Sequence, residues 1–173
     1  MKKLLVVLMM LLLCLLSMSA PAEESEREFF TCGDFKYALL EDGTAEITKY
    51  YGNAEKLDVP AELEGHQVTS IGDDVFFLRS YLSMITLPDT LVSIGDSAFT
   101  LCRSLREITL PDSVTSVGVN PFMDCDKLTH IRVSSDHPTL ETIDGVLFSK
   151  TDKRLITYPG GFKIGRASCR ERV

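Results

Sequence analysis

The sequence predicts an α/β solenoid that is mostly β. It is expected to consist of stacked 23-residue units with short strands and short helical turns, and an N-terminal β-hairpin is expected to cap it. Three observations predict it. Apolar residues recur at a fixed spacing of 23, an alternating apolar segment precedes the repeats, and the 173 residues contain no tryptophan and only five cysteines. A chain of this size and composition fits one small domain without a dense disulfide scaffold.

Three units of equal length lie end to end at residues 68–90, 91–113 and 114–136, and the first two are identical at 12 of 23 positions. Each unit can bury its apolar face only against its neighbours, which is the property that defines a solenoid. The rows that recur are Ile71, Ile94 and Val117; Gly72, Gly95 and Gly118; Phe76, Phe99 and Phe122; Leu82, Leu105 and Leu128; Ile85, Ile108 and Ile131; Leu87, Leu110 and Val133.

The spacing inside one unit predicts its local structure. The run 105–110 places three apolar side chains inward from a short strand, and Pro111 then turns the chain. Gly118 is expected to permit a tight bend after a second apolar edge. Asp96 is expected to cap a short helical turn over residues 97–99 through its side-chain oxygen.

The flanks predict a cap and a variant unit. Residues 34–67 are expected to form the N-terminal cap and a degenerate first coil, because an alternating run has Asp42-Gly43, a frequent hairpin turn, at its centre. A terminal coil needs such a cover over its exposed core. Residues 137–163 are expected to form a longer, truncated repeat.

The repeat pattern L-x-x-I-x-L-P-x-x-V-x-x-I-G-x-x-A-F-x-x-C resembles the BspA-type leucine-rich repeat of bacterial surface proteins, over roughly residues 34–162. The resemblance implies a leucine-rich-repeat fold and recognition at or beyond the cell surface. Arg79 stands at a cysteine position of the pattern, residues 119–121 replace Asp-Ser-Ala, and Ser134 replaces the usual proline. These departures predict atypical coils of the same fold.

The N-terminus predicts export. Residues 1–22 combine a lysine pair, an apolar run and small residues before Glu23, which is the pattern of a cleaved signal peptide. The apolar run of 4–16 is too short to span a membrane, so no span is expected in the mature chain. Residues 23–33 are expected to be a flexible acidic lead-in. The expected location is secreted or on the cell surface.

The last ten residues, 164–173, break the preceding pattern and carry three arginines. They resemble the translation of a common sequencing adapter. We therefore expect this tail to be non-native and the chain to be the N-terminal fragment of a longer repeat protein.

Charge and motifs narrow the function. Residues 23–163 carry 24 acidic and 13 basic side chains, a net charge of −11, which argues against a nucleic-acid partner. The sequence contains no nucleophile-elbow, zinc-protease, P-loop or dinucleotide-binding motif, so neither catalysis nor a cofactor nor a metal is expected. His130 is expected on the outward side of a strand and His137 in a loop.

Cys102 and Cys125 lie one repeat apart and are expected to stack on adjacent coils. Two interpretations are open. The pair packs as buried thiols, which the inward position near Leu105 favours, or it forms a disulfide, which secretion permits. Cys32 has no evident partner.

The remaining functional candidate is a surface, because parallel strands set side by side form the face with which solenoids bind partners. An extracellular protein or glycan is the expected partner of a non-enzymatic, adhesion-like protein. The alternatives are a targeting module or stalk of a larger exported enzyme. The outward positions of the Leu-x-x-Ile-x-Leu strand form two rows, Met84, Glu107 and His130 and then Thr86, Thr109 and Arg132.

Overall fold

The structure, a computed structural model, describes residues 27–161. The predicted signal peptide, 1–22, and the tail, 164–173, lie outside the described residues. Residues 27–161 contain strands joined by turns and no helix. The fourteen strands are β1 (Phe29–Cys32), β2 (Phe35–Leu39), β3 (Ala45–Tyr50), β4 (Lys56–Asp58), β5 (Glu62–Leu63), β6 (His66–Ile71), β7 (Met84–Thr86), β8 (Ser93–Ile94), β9 (Glu107–Thr109), β10 (Ser116–Val117), β11 (His130–Arg132), β12 (Leu140–Ile143), β13 (Val146–Ser149) and β14 (Leu155–Thr157).

Each 23-residue unit contributes one strand to each of two sides of the solenoid. On one side β3, β6, β8 and β10 are paired in parallel, in that order. On the other side β4 pairs with β7 and β9 pairs with β11, also in parallel. The mostly β solenoid that the repeat predicts is confirmed.

The turns between the two sides are not helical, so the predicted short helical turns are wrong. Ser97 and Leu101 have positive φ angles of 53° and 63°. The amide of Phe99 donates to the carbonyl of Pro121 in the next coil at 2.8 Å. Within the turn, the amide of Thr100 donates to the carbonyl of Ser97 at 2.9 Å, three residues back. The turn thus combines isolated three-residue bonds with bonds to the next coil, and lacks the successive four-residue bonds of a helix.

Asp96 has a different role from the helix cap that the sequence predicts. Its Oδ1 accepts a hydrogen bond from the amide of Val119 at 2.7 Å, one coil further along. Asp73 Oδ1 accepts in the same way from the amide of Asp96, also at 2.7 Å. The recurring aspartates thus join successive coils.

The repeated phenylalanines form a continuous aromatic stack through the core. Ring centroids are 5.5 Å apart between Tyr50 and Phe76, 5.0 Å between Phe76 and Phe99, and 5.3 Å between Phe99 and Phe122. All four side chains are buried. The stack starts in the N-terminal cap, so it couples the cap to the three repeats.

The glycine row is required by close stacking of coils. A Cβ on Gly95 would lie 2.6 Å from the carbonyl carbon of Gly72, and one on Gly118 would lie 2.7 Å from that of Gly95. Neither residue has a positive φ. The expected tight bend at Gly118 is therefore replaced by a backbone approach that excludes a side chain.

The N-terminal cap is a three-stranded antiparallel meander of β1, β2 and β3. The predicted hairpin is confirmed, with a turn in which Gly43 adopts a φ of +81° and its amide donates to Leu40 at 2.9 Å. Residues 29–32 form β1, so the flexible lead-in expected for 23–33 does not extend over them. Because β3 pairs in parallel with β6, the cap continues the solenoid sheet.

Beyond the third unit, β12, β13 and β14 form an antiparallel sheet. Asp144 and Gly145 turn β12 into β13 with φ angles of 51° and 81°, as a type I′ turn requires. The amide of Gly161 then donates to the carbonyl of Leu128 at 2.9 Å. This hydrogen bond joins the segment that follows the sheet to the third coil.

His137 links the second coil to this final sheet through hydrogen bonds of its buried ring. The ring is 1% exposed. Its Nδ1 accepts from the amides of Leu140 at 3.1 Å and Thr139 at 3.3 Å, so Nε2 carries the proton that it donates to the carbonyl of Pro111 at 3.1 Å. A residue expected in a loop is therefore a buried link between the second coil and the final sheet.

Candidate ligand-binding face

Four parallel strands present the candidate face: β4, β7, β9 and β11. In each of the last three, the central isoleucine is buried and the residues on both sides of it are exposed. This alternation follows from the pleat, which directs successive side chains to opposite faces. The six residues of the predicted face are all exposed on these strands: Met84, Thr86, Glu107, Thr109, His130 and Arg132.

The strand register extends both rows by one residue. Lys56 lies opposite Met84, and Asp58 lies opposite Thr86, because β4 pairs in parallel with β7. The sequence analysis predicted a degenerate first coil within 34–67 but did not add the outward residues of this coil to the face. The signal was available, since Lys56 and Asp58 flank the apolar Leu57 as Met84 and Thr86 flank Ile85.

Local contacts fix part of this face. Arg132 donates to Glu107 Oε2 from Nε at 3.3 Å and from Nη2 at 3.2 Å. His130 Nδ1 lies 2.8 Å from the hydroxyl of Thr129. Both ion-paired side chains are about half exposed, so the pair contributes little stability but holds two charges in a defined place.

The ladder across the face is interrupted between β7 and β9. These two strands do not pair, whereas β4–β7 and β9–β11 do. Beside the interruption the amide of Arg106 still donates to the carbonyl of Ser83, but at 3.4 Å, whereas the matching bond from the amide of Thr129 to the carbonyl of Arg106 measures 2.9 Å. We call this interruption the seam.

Three depressions lie along the seam. One of about 370 Å³ is lined by Tyr81, Ser104 and Lys127, and the next, of about 410 Å³, by Met84, Arg106 and His130. The third, of about 290 Å³, is lined by residues of both strands together with Leu87, Asp89 and Pro111. The seam is thus a groove that follows the strand direction, and five of its lining positions belong to the predicted face: Met84, Thr86, Glu107, Thr109 and His130.

The two repeat cysteines are free, buried thiols, as the favoured interpretation has it. The Sγ atoms of Cys102 and Cys125 donate to the carbonyls of Phe76 and Phe99, both at 3.1 Å. Desolvation by burial raises the pKa of each thiol to about 12. Arg79 occupies the same slot in the first unit and donates to the carbonyl of Tyr50.

The part of the chain that the structure describes holds no group of three or more His, Cys, Asp or Glu side chains placed to bind a metal ion. Over residues 27–161, no helix is long and apolar enough to cross a membrane.

The chain belongs to the family described as the BspA type leucine rich repeat region, which matches residues 46–169 in six copies. No curated relative matches the sequence. The family match agrees with the stacked coils, the aromatic row and the parallel strands described above.

Several solved structures are similar. A leucine rich cell surface protein of Faecalibacterium prausnitzii is 22% identical, with a TM-score of 0.44 over 76% of this chain and 62% of that one. A leucine-rich repeat protein of Bacteroides capillosus is 26% identical, with a TM-score of 0.48 over 62% and 99%. The pneumococcal vaccine antigen PcpA is 18% identical, with a TM-score of 0.44 over 79% and 57%. This chain therefore spans less than two thirds of the Faecalibacterium and pneumococcal chains.

Proposed function

We propose that this protein is an exported, non-enzymatic binding protein that attaches to an extracellular protein or cell surface through the face formed by β4, β7, β9 and β11. The signal-peptide pattern of residues 1–22 supports export, and the family supports a role at a bacterial surface. The expected absence of a nucleic-acid partner and of a cofactor is part of the proposal.

The observation that carries the proposal is the exposed, varied side of an otherwise regular solenoid. At the first outward position the three repeats carry Met84, Glu107 and His130, although the isoleucine that follows is the same in each. Solenoids bind partners with such strand faces. The grooved seam also supports binding, and so does the threonine that recurs at the second outward position, as Thr86 and Thr109.

The test uses the full chain and two variants that carry the same substitution on different sides. Thr109→Glu changes an exposed residue of the proposed face, and Thr115→Glu changes an exposed residue beside β10 on the other side. We expect labelled protein to bind one or more of immobilised mucin, collagen and intact bacterial cells. Thr109→Glu should weaken that binding at least fivefold, since it adds a larger, charged side chain to the interface.

Thr115→Glu should leave binding within about twofold, because a surface change away from an interface has little effect. Equal losses for the two variants, or no binding to any of these surfaces, would refute the proposal. Circular dichroism of both variants confirms that neither has lost the fold.

A further inference from the structure

The seam described above is a groove with a charge gradient along its length. At the Tyr81 end its lining contains Arg106, Lys127 and Glu55, a net charge of +1. The middle depression is neutral, with two lysine or arginine and two glutamate side chains. At the other end the lining contains Asp89 and Glu107; Glu107 is ion-paired with Arg132, which leaves one uncompensated negative charge there, on Asp89.

Several of these charges are uncompensated. Among residues 27–161, none of Arg106, Lys127 and Asp89 takes part in an ion pair, whereas Glu107 is paired with Arg132. The three side chains are exposed. In a protein with an excess of acidic residues, two adjacent free cations at one end of a groove select for an acidic group of a partner.

Between the charged ends the groove offers one exposed apolar side chain among charged and hydroxyl groups. Met84 is exposed above the seam, and Leu87 and Pro111 line the acidic end. Ser83 and Thr109 are among the hydroxyl residues that line the groove. Met84 can contact an apolar side chain of a partner, and hydroxyls can bond the partner's backbone groups.

The length and lining of the groove favour a peptide over a glycan. Six residue steps from Tyr81 to Leu87 cover about 20 Å of extended chain, the length of six or seven residues of a bound strand. Tyr81, which is 72% exposed, is the one phenylalanine, tyrosine or tryptophan among the residues that line the three depressions. A sugar-binding groove relies on aromatic faces, and beyond Tyr81 at one end this groove is lined mostly by charged, hydroxyl and aliphatic side chains.

We infer that the seam binds an extended peptide segment of a partner protein, with an acidic residue at the Tyr81–Lys127 end, apolar residues over Met84, and a basic residue at the Asp89 end. This inference rests on the proposed function and specifies the partner of the same face. It also predicts the spacing within the partner peptide, because the acidic and the basic residue must be separated by about the length of the groove.

The test begins with selection of random dodecapeptides, displayed on phage, against the immobilised full chain. We expect selected peptides to carry an acidic and a basic residue on opposite sides of an apolar stretch. Synthetic versions are then measured by calorimetry. The double variant Arg106→Glu, Lys127→Glu should weaken a selected peptide about five- to tenfold, and Asp89→Lys about threefold, since exposed charge pairs are individually modest.

The decisive arm exchanges charge on both partners. A synthetic peptide whose acidic and basic residues are interchanged should bind the triple variant Arg106→Glu, Lys127→Glu, Asp89→Lys within about threefold of the original pair, and should bind the unaltered chain poorly. Lys49→Glu, an exposed change on β3 of the cap, is the matched control and should change neither affinity. Thermal unfolding shows whether each variant is folded.

The inference is overturned if no peptide is selected, if the selected peptides show no separation of charges, or if the groove variants bind as the unaltered chain does. Binding to acidic glycans on an array that is lost in Arg106→Glu, Lys127→Glu, with no peptide selected, assigns the groove to a glycan instead. If Thr109→Glu abolishes attachment to surfaces while the groove charges have no effect, the proposed function stands and the peptide inference fails.

Discussion

The two sides of this solenoid are built from the same 23-residue unit, yet their strand ladders differ. The ladder is continuous on one side, the closed side, and interrupted on the other, the open side. On the closed side β6, β8 and β10 form a continuous ladder, supported by aspartate bonds between coils and by a hydroxyl bond of 2.8 Å from Ser93 to Ser70. On the open side the ladder stops between β7 and β9. The closed side thus joins its three coils by an unbroken ladder, whereas the open side joins its coils in two separate pairs, β4–β7 and β9–β11.

Both sides repeat part of their sequence between the first two units. The Ser-Ile-Gly-Asp stretch of the closed side is identical, as 70–73 and 93–96, and so is the Ile-Thr-Leu-Pro-Asp stretch of the open side, as 85–89 and 108–112. The open side differs at the outward position just before that stretch, where Met84 is replaced by Glu107. We infer that the stability of the solenoid depends on the closed side and the aromatic stack, and that its specificity resides in the seam.

The largest expected effect is loss of the aromatic stack. Phe99→Ala removes a buried ring that stacks on Phe76 and Phe122, and should reduce the free energy of unfolding by about 3–5 kcal/mol. Thr109→Ala, an exposed change on the open side, should cost under about 0.5 kcal/mol. Urea unfolding of both variants checks this, and similar losses would break the division between the two sides.

The next effect concerns coil contact on the closed side. Gly95→Ala should destabilise by about 1–3 kcal/mol, because the added methyl meets the backbone of Gly72 at 2.6 Å. Gly72→Ala is the matched control: its Cβ would lie 3.2 Å from the carbonyl oxygen of Ile47, and a smaller loss is expected. Thermal denaturation ranks the pair, and a larger loss for Gly72→Ala would contradict the stacking explanation.

The buried thiols should make the folded chain less stable at alkaline pH. Burial raises the pKa of Cys102 and Cys125 from 9.0 to about 12, so the native state holds protons that the unfolded state releases. Their contribution to stability is therefore fully present below pH 9 and declines as the pH rises towards 12. Urea midpoints between pH 8 and 11 measure the decline.

The double variant Cys102→Ala, Cys125→Ala should be less stable at pH 8 but should show a shallower decline. A decline of the same slope in both proteins would assign the alkaline sensitivity to other groups. Tyr37 is the matched comparison, since desolvation also raises its pKa to about 12 and it remains in the variant.

The smallest expected effect is a gain. Leu78 has a φ of +62° and is 56% exposed, a conformation that costs a leucine about 1 kcal/mol. Asp124 occupies the corresponding position two coils later, with a φ of 56°. Leu78→Asn should therefore raise the free energy of unfolding by about 0.5–1 kcal/mol, measured by urea unfolding. Destabilisation would show that the leucine makes a contact worth more than its strain.

The sequence was sufficient for the features that repeat. Recurring Phe76, Phe99 and Phe122 predict the core stack, and the outward positions on either side of Ile108 are exposed as expected. The helical turn after Asp96 was wrong because the local cap pattern cannot reveal that its carboxylate bonds the next coil. Bonds between units depend on stacking geometry, which a single unit does not encode.

The final hairpin and the seam show the same difference between features that the sequence predicts and features that it does not. Asp144-Gly145 turns a hairpin just as the alternating run around Asp42-Gly43 does, so that element could have been predicted from the same signal. The seam could not, because the Ile-x-Leu pattern is the same in β7 and β9 while their backbones do not pair. Whether these two strands pair depends on a change of tenths of an ångström in a hydrogen-bond distance, and the residue types do not encode such a change.

Hydrogen exchange of the full chain, read residue by residue by NMR, tests the open seam most directly. Strands β8 and β9 are both internal to the repeats, so they are a matched pair. We expect the slowest amides of β9 (Glu107–Thr109) to exchange about tenfold faster than those of β8 (Ser93–Ile94), because β8 has a ladder partner on both sides and β9 on one. Equal protection of the two strands would show that the ladder is continuous and would contradict the separation into a closed and an open side.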